Sequence, residues 1–202
     1  MKLAKGFLVQ DYRTQIRLLG WFRLCLIILL LLRLPVGSVA AAENPFKVKA
    51  AFLRNFAHYV NWPNDAFSDS VSPWCIGILG PDPFGEVLET VLAGRTEKGR
   101  TFTVLRANKP EDLRRCQIVY ITYTDAGARR TALRSLNDKP ILTVGDAPDF
   151  LNEGGVIRFQ VGDRVSMSIN LDQARAVLLT IQTKMLEVSS EILENGAIRR
   201  MK

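Results

Sequence analysis

The sequence predicts an α/β fold: a mostly parallel sheet with flanking helices in a Rossmann-like three-layer arrangement, ending in a C-terminal hairpin and a long final helix. Three observations predict it. Between residues 73 and 144 short apolar runs alternate with amphipathic segments, the order of strand–helix–strand units in a parallel sheet. Residues 156–161 and 165–169 then flank the turn pair Gly162-Asp163, as the two arms of a hairpin do. Last, Leu171, Ala174, Leu178, Ile181, Met185, Val188 and Ile192 recur at helical spacing as one stripe.

The chain opens with a head that differs from everything after it. Arg13, Arg17 and Arg23 precede an apolar run over residues 24–32, and the small residues 37–42 follow. That order reads as a secretory signal over residues 1–42, cut near Ala40 or Ala42. Arg33 and Pro35 stop the run well short of the roughly 20 apolar residues of a bilayer span, although an uncleaved anchor stays open as the alternative. Of the 27 basic residues six lie in this head, against one of the 20 acidic residues, so residues 43–202 carry a net charge of only +2. The basic balance of the whole chain therefore gives no argument for a nucleic-acid partner, nor for insertion of the mature chain into a membrane. About 160 residues remain, enough for one domain with one core.

Phe46, Ala50, Leu53, Ala57 and Val60 set the first helix, which Asn61-Trp62-Pro63 ends because the residue before a proline avoids the helical region. Residues 73–80 read as a buried strand, 81–85 as a turn and 86–92 as a helix. Strands follow over 101–106 and 117–122, a helix over 126–136 and a strand over 140–144. Asn170, with Gln173 three residues on, caps the final helix.

Cys25 falls in the head, leaving Cys75 and Cys116. In the common doubly wound order 2-1-3 the first and third strands are neighbours, which brings these two cysteines side by side. A disulfide, of the kind an oxidising compartment allows, stands against two buried free thiols. No histidine or third cysteine accompanies them, so no metal site is expected.

Other features have ordinary readings beside sharper ones. Phe52, Phe56 and Tyr59 form a second apolar stripe roughly 100° from the first on the opening helix. With Trp62 they are the candidate partner-binding residues, and packing inside the domain is the alternative. Leu179, Leu186 and Leu193 recur every seven residues on the final helix, a candidate dimer seam or again internal packing. His58 is the sole histidine and has no nucleophile motif around it, so a solvated side chain is expected there rather than a catalytic one. Residues 80–85, Gly-Pro-Asp-Pro-Phe-Gly, lack the Lys-Ser/Thr pair of a phosphate loop and the glycine spacing of a dinucleotide fingerprint. No cofactor is implied. A small-molecule pocket, were there one, would lie at the carboxyl ends of the strands near Asp82, Phe84, Thr122, Asp125 and Asp146.

Residues 48–53 (Val-Lys-Ala-Ala-Phe-Leu), Phe56, Trp62-Pro63, residues 80–85, residues 141–146 (Ile-Leu-Thr-Val-Gly-Asp), Phe150, Gly154-Gly155 and Ile169-Asn170 together resemble the YfiR-like family across residues 45–193. The resemblance implies a periplasmic, non-enzymatic α/β protein, often dimeric. It implies repression of an inner-membrane diguanylate cyclase, or a related sensor kinase, by binding of its periplasmic domain, with lower cyclic di-GMP and less biofilm. No catalytic residues come with it. Some members carry a second cysteine pair around the segment matching residues 149–158; this chain has no cysteine after Cys116, so redox gating is not expected. A periplasmic small-molecule sensor is the alternative, and a hydrolase or oxidoreductase would need a nucleophile, metal set or cofactor loop that the sequence does not display.

Overall fold

The computed structural model describes residues 44–201, so the predicted signal peptide over residues 1–42 lies outside the described residues. Helix α1 (Pro45–Tyr59) starts where Asn44 accepts the backbone N–H of Phe46 and Pro45 occupies the first turn. The chain turns extended at β1 (Val60–Asn61) before Pro63. Then come β2 (Trp74–Leu79), α2 (Val87–Leu92), β3 (Phe102–Ala107), β4 (Ile118–Ile121), α3 (Ala126–Leu136), β5 (Leu142–Gly145), β6 (Ile157–Val161) and β7 (Val165–Asn170). These match the elements predicted from the apolar pattern.

One sheet of eight strands results, with β2, β3, β4, β5 and β6 pairing in parallel and β7 antiparallel to β6. The order β3-β2-β4 is the predicted 2-1-3 arrangement. Each central strand is buried on both faces, as its near-continuous apolar run requires. Ile76, Ile78, Ile118 and Tyr120 point to the face covered by α1 and α2, while Leu79, Val119 and Ile121 pack with α3 on the other. Three layers follow from that alternation. An ion pair enclosed on both sides, Arg129 with Glu153 at 2.7 Å (side chains 7% and 6% exposed), ties α3 to the loop after β5. Arg129 also donates to the carbonyls of Tyr123 and Thr124.

The long final helix is not formed. Asn170 caps a helix as predicted, accepting from Gln173 N–H, but α4 (Leu171–Ala176) lasts under two turns. It gives way to β8 (Thr180–Ile181), which pairs antiparallel with β1, then to α5 (Thr183–Glu187), β9 (Glu191–Glu194) beside β7, and β10 (Ala197–Arg200) at the sheet edge. The reason is a competing period. Val177, Leu179 and Ile181 are buried while Leu178, inside the predicted stripe, is 70% exposed and Thr180 is exposed, the alternation of an extended segment. Leu179, Leu186 and Leu193 consequently lie before β8, in α5 and in β9, and make no helical seam. Leu179 is core, and the other two are part-buried against different faces of the sheet.

Candidate functional site

The aromatic stripe of α1 has a cover within the domain. Phe56 is 1% exposed, and both Phe52 and Phe56 meet Phe159 of β6, with ring centroids 5.6 and 6.0 Å apart. Phe56 therefore reaches no partner in the folded protein, a correction to its place among the partner-binding candidates. Phe52, Tyr59 and Trp62 are part-buried against the same core and keep an exposed remainder. Trp62 packs edge-on to Trp74 at 5.1 Å, and its indole N–H is the one buried side-chain polar atom lacking a hydrogen bond among the described residues.

At the carboxyl ends of β4 and β5 the structure builds a polar cluster. Lys49 sits on the buried side of α1, 3% exposed, and donates to Asp146 Oδ2 at 2.7 Å. The same oxygen accepts from the Tyr120 hydroxyl. Burial first, and the Asp146 charge second, push the Tyr120 hydroxyl far above its ordinary range, so it acts only as a donor. Phe84 lies edge-on to Tyr120 at 4.9 Å and to Phe46 at 5.8 Å, closing the cluster from the α2 side. Asp146 itself is half exposed, and its Oδ1 has no hydrogen-bond partner among the described residues. A shallow cleft of 420 Å³ opens there, with Arg158 and Gln160 opposite Lys49 and Asp146. The arrangement can accept a donor from outside, while Arg158 beside it is held by Glu191 and the Pro148 carbonyl.

The other predicted pocket residues serve the fold nearby. Asp82 accepts the N–H of Phe84 and holds Arg106, which also binds Glu89. Thr122 donates to the Leu79 carbonyl, and Asp125 caps α3 through Ala128 N–H. Gly80 is required where β2 ends: its φ is +97°, and a side chain there would meet Thr122 Oγ1 at 2.6 Å. Of the five, Asp82 meets Phe84 through a local hydrogen bond, and Phe84 and Asp146 are brought together through Tyr120, a residue the sequence reading did not single out. His58 is more than half exposed and pairs with Glu97 at 2.9 Å.

The glycines after β5 have a packing role. A Cβ at Gly145 or Gly155 would fall 2.5 or 2.2 Å from the ring of Phe150, which is fully buried between them. This gives a physical reason for the Gly-Asp, Phe and Gly-Gly spacing. In the same core layer as Phe150, Cys75 and Cys116 form a disulfide, Sγ–Sγ 2.09 Å and Cα–Cα 4.5 Å, as the strand order predicted. Among the described residues no group of three or more His, Cys, Asp or Glu could hold a metal ion, and no helix is long and apolar enough to cross a membrane.

The profile of the YfiR/HmsC-like family matches residues 46–190, which include the whole α1 to α5 span apart from Pro45. The chain belongs to this family. No curated protein matches it. A solved structure of a conserved domain protein from Vibrio cholerae O1 biovar El Tor strain N16961 is similar, with a TM-score of 0.51 and 13% identity. The alignment covers 73% of this chain and 60% of that one, so the likeness is one of fold. Within the family segment lie the disulfide, the Lys49–Asp146–Tyr120 cluster and the glycine-flanked Phe150, while β9 and β10 fall beyond its end.

Proposed function

We propose that this chain is an exported, non-enzymatic regulator that binds the periplasmic domain of an inner-membrane diguanylate cyclase, or of a related sensor protein, and lowers cyclic di-GMP signalling. Membership of the YfiR/HmsC-like family across residues 46–190 carries this reading. The disulfide supports an oxidising compartment, and a basic, apolar, small-residue head supports export. Docking would use the exposed remainders of Phe52, Tyr59 and Trp62, with Phe56 as buried backing. Coupling is thermodynamic: a repressor preferring the inactive cyclase by about 3 kcal/mol shifts its on/off ratio about a hundredfold. A homodimer belongs to the proposal, formed through a surface other than a leucine seam.

Deletion of the gene is expected to raise cellular cyclic di-GMP, and its return to restore the lower level. Unchanged cyclic di-GMP in both the deletion and an overproducing strain overturns the proposal. The second reading, a small-molecule sensor, takes its support from the half-exposed Asp146 carboxylate with an unpartnered oxygen beside the Arg158 cleft. It predicts a ligand-induced rise in melting temperature without any protein partner.

A further inference from the structure

A cavity stands at the opposite ends of the strands from Asp146. The connection from β3 to β4 crosses the sheet with only a 3-10 turn, Pro110–Leu113, where strand crossovers ordinarily place a helix. Leu113 covers the middle of β2: a Cβ on Gly77 would meet its side chain at 3.0 Å. The amino-terminal half of that face, from Cys75 across to Thr103, has no helix over it and becomes one wall of a 580 Å³ cavity with the disulfide cysteines on its lining. That volume lies within the range of small-molecule sites, about 300–1,000 Å³.

The opposite wall is tied in place. Buried Gln117 accepts the N–H of Cys75 and donates to the Ala66 carbonyl at 2.7 Å, joining the strand floor to the loop of residues 64–73. Arg100 donates to the carbonyls of Ser72 and Asp69, and its guanidinium lies 4.0 Å over the Phe67 ring. The cavity is thus preformed, with Phe67, Leu105 and Pro140 as apolar surface.

Its charge is one-sided. Arg114 is held by Asp138 and the Ser135 carbonyl, whereas Arg115 and Lys139 have no carboxylate partner within 4 Å among the described residues. Among the described residues Asp65 is the only acidic one on the lining. Two unpaired cations at the mouth of a half-apolar cavity select a negative head on an apolar body.

We propose that this cavity binds a small amphiphilic organic anion, with its carboxylate or phosphate on Arg115 and Lys139 and its apolar part against Phe67, Leu105 and Pro140. The site stands independently of any cyclase partner. Titration of the protein with phenyl phosphate and with phenylacetate, followed by amide NMR, is the test. Saturable shifts are expected at the Gln117 side-chain amide and the Thr103 backbone. The R115Q/K139Q double variant, altered only at exposed positions, weakens both ligands tenfold or more. An R164Q/K184Q control, which removes the same charge elsewhere, leaves them unchanged, and T103W, filling the cavity from the exposed edge strand, abolishes binding. Inorganic phosphate and neutral phenylacetamide each bind at least tenfold more weakly, so a better fit of phenyl phosphate or of phenylacetate identifies the head group. Absence of a saturable shift up to about 10 mM, a Kd too weak to be a site, overturns the proposal. So does equal binding of phenylacetamide, or an R115Q/K139Q protein that binds as the parent does.

Discussion

At Asp146 a single carboxylate oxygen receives two donors, one of them an ammonium that is 3% exposed. Removing the anion strands the cation inside the domain, which costs more than replacing the cation by an apolar chain of similar length, since the carboxylate left behind is half exposed. D146A is expected to lose about 2 kcal/mol, lowering the melting temperature by roughly 4–8 °C, with K49M losing less. Urea denaturation of both variants measures this, and K49M proving the more damaging would refute the arrangement. The enclosed Arg129–Glu153 pair makes a pH statement. Arg129 holds the Glu153 carboxyl below its usual range, so the pair's contribution is fully present above the unfolded value and is lost as pH falls through the folded one. E153Q, which leaves Arg129 unpaired, is expected to cost about 3 kcal/mol at neutral pH. The gap between parent and variant in urea midpoint should narrow below about pH 4.5, where the unfolded-state carboxyl begins to hold its proton. A gap that widens in acid would exclude the pair as a source of stability. In the sequence Lys49 gave one sign of its role, a lysine beside Ala50 on the face set by Phe46 and Leu53. That sign is weak, because a long side chain at such a position ordinarily snorkels to water, and its partner lies 97 residues away.

The segment after Asn170 shows how two periods share one set of residues. Leu171, Ala174, Leu178 and Ile181 fit a helix, and Val177, Leu179 and Ile181 fit a strand; pairing with β1 and burial of the second set decide for the strand. The preceding strands, hairpin and helix α3 were legible because each is a local pattern closed by its own turn or cap. β8 was not, since it exists through pairing with β1, formed far earlier in the chain, whereas β9 and β10 close a local hairpin over Asn195-Gly196 that the helical stripe running to Ile192 concealed. Leu178 carries the consequence, with φ +61° and an exposed side chain. For an L-residue that conformation costs roughly 1–2 kcal/mol, which glycine avoids. L178G is therefore expected to stabilise the protein by about 0.5 kcal/mol, after the glycine's own entropy cost. In a continuous helix the same change would destabilise by about 1 kcal/mol, so the sign of the shift in chemical denaturation distinguishes the two structures.

Across the whole molecule the parallel sheet is assembled from contacts distant in sequence, and the disulfide is the one covalent tie among them in the described residues. It joins the entry of β2 to the residues before β4 across a sequence separation of 41, at the face where the crossover is a 3-10 turn and not a helix. The cross-link removes freedom from the unfolded chain: a loop of that length is worth about 4 kcal/mol in the chain-entropy model. For a domain of this size that is a large part of a total of roughly 5–15 kcal/mol. Stability should then depend on the compartment in which the chain folds. Material oxidised in the envelope is expected to unfold at markedly higher urea than the same chain kept reduced. The C75A/C116A variant should match the reduced protein and show no response to reductant. An oxidised protein with the same urea midpoint as C75A/C116A would remove the disulfide from the account of stability, and with it the link between fold and oxidising compartment.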